Sequence, residues 1–288
     1  MLAAAGLSLL MYGISEGPLH GWGSALIVST ITCGAILLAT LIWVELRKAH
    51  PLIDFRLFSD SLFRSTNAVL ALGAAAFIGA LFLVALFFQD GLGLSALQSG
   101  LNTFPEAIGV MVGAQVITRY LYPVFGPRRV MVGGILLLSA ALAALSLVGF
   151  HTNLWWVRAD MFIAGYGMSH VFVPSQAAGF ATIPPANTGR ASTLFNAIRQ
   201  LGSAVGVALL STVIATVGPV HVVDGHVSPY LTAYHVGFLV AAGVALLAGL
   251  CALTANDAQA AGTMVRRTRA RQQGAVPTRA PEPVPARS

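Results

Sequence analysis

One apolar stretch of the chain carries polar side chains at helical spacing. Leu97 to Thr118 contains a single charged residue, Glu106, with Asn102 four positions before it and Gln98 four before that. At 3.6 residues per turn, these three side chains share one face of a helix. A carboxylate inside hydrocarbon is costly, so it is expected to face a cavity or a partner. In a cavity, the Glu106 carboxylate could bind and release a proton. Alternatively, Glu106 has a structural role and pairs with Arg158.

A second polar face is predicted on a helix over 191–217. Asn196 and Arg199 lie three positions apart on it. They either contact a cytoplasmic gate or reach the lipid headgroups, which is the simpler role for Arg199 near a helix end. Small residues spaced by four allow two helix backbones to approach closely, so glycines on both polar faces are expected to pack helices. They are Gly109, Gly113, Gly202 and Gly206.

A further side chain is a candidate for the same pathway. His170 is predicted at mid-depth or deeper, where a hydrogen-bonded packing role is the more common one and a proton relay the alternative. Cys33 and Cys251 lie inside apolar runs, which indicates small buried side chains rather than a disulfide. The sequence has no metal-ligand cluster and no P-loop, so we expect no metal, no cofactor and no ATP hydrolysis.

The composition of the chain places these polar groups in a lipid bilayer. The chain is 56% hydrophobic and 9% charged, whereas soluble domains carry about 25% charged residues. Too few charges remain to cover a surface that faces water. Long apolar runs without alternation of period two indicate helices rather than a barrel. We therefore predict an all-α polytopic membrane protein with eight transmembrane helices, at about 1–15, 24–45, 65–88, 97–119, 128–150, 156–178, 191–217 and 232–255.

The basic residues predict the orientation of these helices. If the first helix runs outward, nine of the ten basic residues before residue 256 lie in or beside the inside loops, and only Arg158 lies outside. Six more arginines follow Ala255. The positive-inside rule therefore predicts a multi-pass protein of the cell membrane with a cytoplasmic C-terminus. Since no basic residues cluster on a soluble folded unit, nucleic-acid binding is not expected.

Changes in composition divide the chain into four parts. A central transmembrane helix pair is predicted over 1–45 and a six-helix bundle over 65–255. Between them lies a cytoplasmic linker, 46–64, in which Pro51 to Asp60 is expected to form an amphipathic segment in the membrane interface. Residues 256–288 are rich in Ala, Arg, Gln and Pro, which predicts a disordered basic cytoplasmic tail.

Five different short motifs are distributed along the chain. They are GW at 21–22, ELRKAHPLIDFRLF at 45–58, FFQDGLGLSALQSGLNTFP at 87–105, GPRRVMVGG at 126–134 and GRASTLFNAIRQLGSAVGVALL at 189–210. Together they resemble the fourteen-helix drug:proton antiporters of the major facilitator superfamily. The last motif is the most specific, especially in combination with the pattern of Gly, Ser and Ala residues that follows Gln89 in the third motif. The resemblance covers nearly all of the chain except the tail, but the acidic residue of the superfamily loop motif is absent around 123–126.

The resemblance implies both a fold and a function. The first two helices would be the seventh and eighth of the family, and the other six would be its C-terminal major-facilitator bundle. The N-terminal six-helix bundle would be missing, as a first span that starts at Met1 without a preceding basic loop also suggests. The whole protein would export drugs or other amphipathic small molecules by alternating access, with the proton as coupling ion. The residues implied to line its cavity are Gln98, Asn102, Glu106 and Asn196. The resemblance also implies Phe77, Phe82 and Phe104 as candidate apolar contacts for a substrate.

Three alternatives remain at this point. A major facilitator carrier of another metabolite would share the fold and the motifs. A truncated membrane half that does not transport, and serves as a scaffold or regulator, would share them as well. A membrane enzyme would need a cluster of reactive side chains at one interface, and the sequence has no such cluster, so an enzyme is not expected.

Overall fold

The chain folds into a bundle of helices. The structure is a computed structural model that describes residues 2–47, 55–223 and 226–264. Within these residues the prediction of an all-α chain is confirmed, with one addition: two short antiparallel strands, β1 (Val220–Val223) and β2 (His226–Pro229), form a hairpin between the last two helices. The α-helices are α1 (Leu2–His20), α2 (Ala25–Arg47), α3 (Ser61–Leu86), α4 (Ala96–Thr103), α5 (Pro105–Val116), α6 (Tyr122–Leu145), α7 (Leu154–Gly179), α8 (Thr188–Val217) and α9 (Leu231–Leu253).

Several helical segments of the described chain are long and apolar enough to cross a membrane. They are Ser61–Gly91, Ala96–Leu145, Pro185–Val217 and Leu231–Leu253, and Ala25–Leu41 is a shorter apolar helix. Ala96–Leu145 has 50 residues, which as one straight helix would be ~75 Å long, against a hydrocarbon core of about 30 Å. The chain reverses inside it at Gly126, where φ is 75° and ψ is 169°. This segment therefore contains two of the predicted spans.

The helix predicted over 97–119 is divided into α4 and α5. Pro105 has no amide hydrogen and cannot continue the hydrogen-bond ladder of α4. The carbonyl oxygen of Phe104 instead accepts a hydrogen bond from the amide of Ala107 at 3.1 Å. At the other end of α5, the π-helical turn Ile117–Leu121 leads into α6. One predicted span is thus built from three short helical pieces.

Helix α3 lies at the centre of the bundle and packs against α7, α8 and α9. Helix α7 lies between α5 and α6, and α6 also packs against α9. The pair α1–α2 packs together, and α1 contacts α8. Beyond α1, the indole Nε1 of Trp22 donates a hydrogen bond to Thr212 Oγ1 at 3.1 Å. The leading pair is thereby attached to the bundle through α8.

Close backbone contacts join two pairs of helices. A Cβ atom at Gly206 of α8 would collide with the carbonyl oxygen of Ala75 on α3, and one at Gly202 would collide with that of Ala71. From the first contact to the second, the residue on α3 advances from 71 to 75 and the residue on α8 advances from 202 to 206. Because both numbers increase together, α3 and α8 run parallel. Such approaches require the absence of a side chain, and they bring the two backbones into van der Waals contact.

The segment that follows α9 folds back onto the start of α6. The amide of Arg128 donates a hydrogen bond to Asp257 Oδ1 at 2.9 Å, and the hydroxyls of Tyr122 and Thr263 lie 2.7 Å apart. Ala260 is fully buried, and Ala261–Thr263 forms a 3-10 turn. Residues 256–264 of the predicted tail thus contact α6, a partner surface that composition alone does not reveal.

Two further expectations fall partly or wholly outside the described residues. The amphipathic segment 51–60 is described only from residue 55, where Phe55–Ser59 forms a 3-10 turn. The basic tail from 265 to 288 lies outside the described chain. The division of the chain into four parts remains a prediction.

The contact at Gly206 predicts opposite effects for two glycine substitutions. Gly206→Ala introduces a methyl group against the backbone of Ala75, and we expect it to lower stability by about 1–3 kcal/mol. Gly243→Ala on α9 meets no atom within 4 Å. It is expected to leave stability unchanged or to raise it by up to about 1 kcal/mol. Unfolding of the two variants in detergent, followed by circular dichroism, measures both effects, and equal stabilities would contradict the contact.

Candidate functional site

The polar face of α4 begins at a capped helix terminus. Ser95 and Gln98 form a capping box: the Ser95 amide donates to Gln98 Oε1 at 2.9 Å, and the Gln98 amide donates to Ser95 Oγ at 3.3 Å. This pairing satisfies amides that the first turn would otherwise leave unpaired. Gln98 is exposed, and its side-chain oxygen is occupied by the cap.

Asn102 links α4 to α7. It is 1% exposed, and its Nδ2 donates to the carbonyl oxygen of Gln98 at 2.8 Å. Its Oδ1 accepts from Arg158 Nε, also at 2.8 Å. The Arg158 guanidinium lies 4.5 Å from the centre of the Trp155 ring, a cation–π contact. Arg158, which the sequence left as a possible partner of Glu106, is bound by Asn102 instead.

Glu106 lies in the first turn of α5, next to the interruption at Pro105. Its carbonyl oxygen is so close to α7 that a Cβ atom at Gly165 would collide with it. Gly165 lies near the middle of α7, so the Glu106 backbone is at a similar depth in the bundle. The side chain is partly exposed. In the described part of the chain, the Glu106 carboxylate has no recorded hydrogen-bond or ion-pair partner, which leaves it free for a ligand or a proton.

The other two glycines of the polar face also lie against α7. A Cβ atom at Gly109 would collide with the carbonyl oxygen of Phe162, and one at Gly113 would collide with the hydroxyl of Ser169. The contact residues increase in number on both helices, from Gly109 to Gly113 on α5 and from Phe162 to Ser169 on α7. These two helices therefore run parallel. The close approach keeps the first turn of α5 against the middle of α7.

His170 is held by its own helix. Its ring is 6% exposed, and Nδ1 lies 2.8 Å from the carbonyl oxygen of Tyr166. The Tyr166 and His170 rings are 4.8 Å apart. His170 also lines a cavity of about 240 Å³, together with Phe125 and Arg129. These contacts are those of a hydrogen-bonded packing residue.

A cavity of about 260 Å³ lies between the C-terminal half of α7 and the N-terminal half of α8. Two of the predicted site residues, Asn196 and Arg199, lie in its wall. Asn196 Nδ2 donates to the carbonyl oxygen of Ser192 at 3.0 Å, and Arg199 Nη2 lies 3.4 Å from Asn196 Oδ1. The remaining wall residues are Phe172, Gln176, Phe180, Ser192 and Phe195.

The walls of this cavity combine aromatic and polar side chains. Phe180 and Phe195 pack with ring centres 5.6 Å apart, and Phe172 is held edge-on by Phe77 of α3 at 6.4 Å. Three aromatic rings supply apolar surface, while two amides, one hydroxyl and one guanidinium supply polar surface of similar extent. Ligand pockets combine apolar walls with oriented polar groups, and in this cavity the polar share is high. The described residues contain no group of His, Cys, Asp and Glu side chains arranged to hold a metal ion.

The structure separates the predicted site residues into groups. Glu106 and Asn102 lie where α4 and α5 meet the first half of α7, whereas Asn196 and Arg199 lie at the opposite end of α7. Phe104 is 62% exposed and does not line the cavity between α7 and α8.

The sequence profile of the Major Facilitator Superfamily matches residues 1–207. The chain belongs to this superfamily. Its members are membrane transporters, so the chain is a transporter-family protein and not an enzyme. The resemblance stated from the five motifs is confirmed, and members of this superfamily reside in a lipid bilayer.

Several similar proteins carry names that refer to drug resistance or export. The puromycin resistance protein pur8 of Streptomyces alboniger is 27% identical over 268 residues, which are 90% of this chain and 53% of that protein. The cephamycin export protein CmcT of Amycolatopsis lactamdurans is 32% identical over 228 residues, 74% of this chain and 44% of that protein. The lincomycin resistance protein LmrB of Listeria monocytogenes is 26% identical, with coverages of 75% and 45%. The chain thus spans about half the length of the curated relatives it matches.

Sequence reasoning missed the aromatic part of this major facilitator cavity. Phe172 and Gln176 of α7 and Phe180 at its C-terminal cap are spaced by four, so they lie on one side of the helix. That spacing was visible in the sequence. The opposing residue Phe195 belongs to another helix, and only the packing of α7 near α8 brings it to the same cavity.

The Asn102–Arg158 hydrogen bond predicts an energetic coupling between these two residues in the free energy of unfolding. The Asn196–Arg199 pair, which has the same residue types, is expected to show a weaker coupling. In a double-mutant cycle with Asn102→Ala and Arg158→Ala, we expect a coupling of about 1–3 kcal/mol, because either single substitution leaves a polar group without its partner. The control cycle uses Asn196→Ala and Arg199→Ala, an exposed pair three residues apart, with an expected coupling below about 0.5 kcal/mol. Unfolding in detergent measures both cycles. Similar couplings in the two cycles would argue against a stabilising contact between α4 and α7.

Proposed function

We propose that this chain is the C-terminal part of a proton-coupled exporter of drugs or other amphipathic small molecules that works by alternating access. The observation that carries the proposal is the cavity of Phe172, Phe180 and Phe195 with Gln176, Asn196 and Arg199. Its wall combines aromatic rings with amide, hydroxyl and guanidinium groups, a mixture that suits amphipathic substrates. Relatives that match up to 90% of the chain are named as resistance and export proteins, which favours export over the uptake of a single metabolite.

Glu106 is the proposed proton-binding group. It is a carboxylate at a break in the helix, where Pro105 interrupts the ladder, and its backbone is pressed against the middle of α7. Protonation removes its charge and changes how strongly it interacts with water or with polar neighbours. A proton bound there would shift the population between inward-open and outward-open states, which is how a coupling ion drives alternating access.

The transporting unit is proposed to include a further six-helix bundle. Major facilitator transporters bind substrate between two bundles that rock against each other, and this chain covers 40–55% of the length of its relatives. In our proposal, residues 1–45 are the central helix pair and 65–255 the C-terminal bundle. The chain alone then represents a membrane half that does not transport, and joining it to an N-terminal bundle restores efflux.

The proposed orientation places the C-terminus in the cytoplasm of a cell whose plasma membrane contains the protein. Nine of the ten basic residues before residue 256 and all six after it support this orientation. Green fluorescent protein fused after Ser288 is therefore expected to fluoresce. Alkaline phosphatase fused there is expected to be inactive, whereas phosphatase fused after Pro229, in the opposite loop, is active. The reverse pattern of phosphatase activity would contradict the orientation.

The transport proposal is tested with Glu106 in cells that express the chain together with its N-terminal bundle. Efflux of ethidium driven by a pH gradient is followed by fluorescence. Glu106→Gln keeps the size of the side chain but cannot bind or release a proton, so gradient-driven efflux is expected to fall to the level of cells without the protein. Glu106→Asp keeps the carboxylate and is expected to retain part of the activity.

The matched control for this test is Asp90→Asn, which removes a carboxylate from an exposed position after α3. We expect it to leave efflux and its pH dependence unchanged. If Glu106→Gln behaves as this control does, Glu106 is not the proton site. If wild-type cells export no ethidium or other amphipathic dye but take up a metabolite, the carrier alternative replaces the export proposal.

A further inference from the structure

A second cavity lies on a different face of α7 from the proposed substrate cavity. It has a volume of about 300 Å³ and is formed where α6 ends and α7 begins. Leu147 and Val148 line one side of it, and Trp156 and Ile163 line the other. Leu147 is 83% exposed and Trp156 is 74% exposed, so the cavity opens toward the surroundings of the bundle.

The cavity contains one carboxylate, that of Asp160. Its Oδ2 atom is inaccessible to solvent and has no hydrogen-bond partner among the described residues. A buried polar oxygen without a donor costs roughly 1–3 kcal/mol, and more when it is charged. Native structures leave few such atoms unsatisfied. The Asp160 carboxylate therefore borders the cavity without a hydrogen-bond donor from the described residues.

The nearest cation along the helix does not supply this donor. Arg158 is two positions from Asp160, and residues two apart project to different sides of a helix. The Arg158 Nε atom is hydrogen bonded to Asn102, and its guanidinium lies against Trp155. Arg158 is thus directed at α4, whereas Asp160 faces the cavity beside α6.

The position of this cavity separates it from the proposed transport site. Ile163 lines the Asp160 cavity and Phe172 lines the substrate cavity, nine residues further along α7. At about 100° per residue, nine residues place the two side chains on opposite sides of the helix. A ligand beside Asp160 would therefore not occupy the cavity between α7 and α8.

We propose that the Asp160 cavity binds a molecule with an ammonium group on an apolar body. The ammonium approaches the Asp160 carboxylate from the cavity, donates a hydrogen bond to it and neutralises it, which is the strong, charge-assisted kind of contact. The indole of Trp156 lines the same cavity and is an aromatic ring that a cation can contact. The apolar body lies along Leu147, Val148 and Ile163. Two sources carry this chemistry: the amine of a phosphatidylethanolamine headgroup and a free amphipathic ammonium compound.

The first test compares octylammonium with octanol, which has the same chain and no charge. Binding to the purified protein in phosphatidylcholine nanodiscs, whose headgroups have no N–H donor, is followed by tryptophan emission, with Trp156 as the reporter in the cavity. We expect saturable binding of octylammonium that is at least about tenfold tighter than that of octanol, equivalent to about 1.4 kcal/mol. Equal affinities would overturn the proposal.

Three variants locate the binding site. Asp160→Asn is close in size but uncharged, and Ala159→Phe fills the cavity from an exposed position while it keeps the carboxylate. Both are expected to weaken octylammonium binding at least about tenfold. Asp90→Asn, which removes an exposed carboxylate at the same end of the bundle, is expected to leave it unchanged. Circular dichroism verifies that each variant is folded. Wild-type affinity in Asp160→Asn would overturn the proposal.

A second test distinguishes the two sources of the ammonium group. Protein from membranes that contain phosphatidylethanolamine and phosphatidylglycerol is analysed by native mass spectrometry. Retention of phosphatidylethanolamine by the wild type and its loss in Asp160→Asn supports the proposal with a lipid as the source. Octylammonium binding without such retention supports it with a free compound as the source. Neither test requires transport, so they can succeed or fail independently of the export proposal.

Discussion

In a lipid bilayer, the hydrophobic effect does not drive apolar helices to associate, because hydrocarbon tails solvate their side chains as well as another helix does. The bundle must therefore be held by close backbone packing and by hydrogen bonds between helices. Gly202 and Gly206 allow close backbone packing between α3 and α8, and Gly109 and Gly113 allow it between α5 and α7. The position of every other group discussed above depends on these two parallel helix pairs.

Helix α7 connects the features of this structure because each of its faces has a different neighbour. One face holds Arg158 against α4, a second packs on α6, and a third lines the aromatic cavity with α8. Residues only two positions apart, such as Arg158 and Asp160, therefore have unrelated surroundings. A substitution on α7 is best interpreted by its direction around the helix rather than by its distance along the chain.

The sequence predicted the helices better than it predicted their contacts. Apolar runs marked the spans because hydrocarbon demands them, and Gly126 and Pro105 interrupted the helical pattern for local reasons. The Asn102–Arg158 hydrogen bond joins residues 56 positions apart, and periodicity on a single helix cannot predict such a pair. One signal was present: Arg158 was the single exception to the positive-inside pattern, and the structure gives it a specific partner.

The site was predictable to the extent that it lay on one helix. Asn196 and Arg199 were selected from the spacing of polar residues on α8, and the structure adds the aromatic residues that α7 brings opposite them. Gln98 was selected by the same spacing, yet its oxygen is occupied by the amide of Ser95. Periodicity identifies the face of a helix, but it does not show whether a polar group is already satisfied by its own backbone.

The contact between Arg128 and Asp257 has a consequence for the order of assembly. The amide that begins the second part of α6 is hydrogen bonded to a carboxylate 129 residues later in the chain. A ribosome makes that carboxylate only after it has completed α9. During synthesis, the turn at Gly126 therefore lacks this partner until the last helix has left the ribosome, and the closing of this loop marks the completion of the bundle.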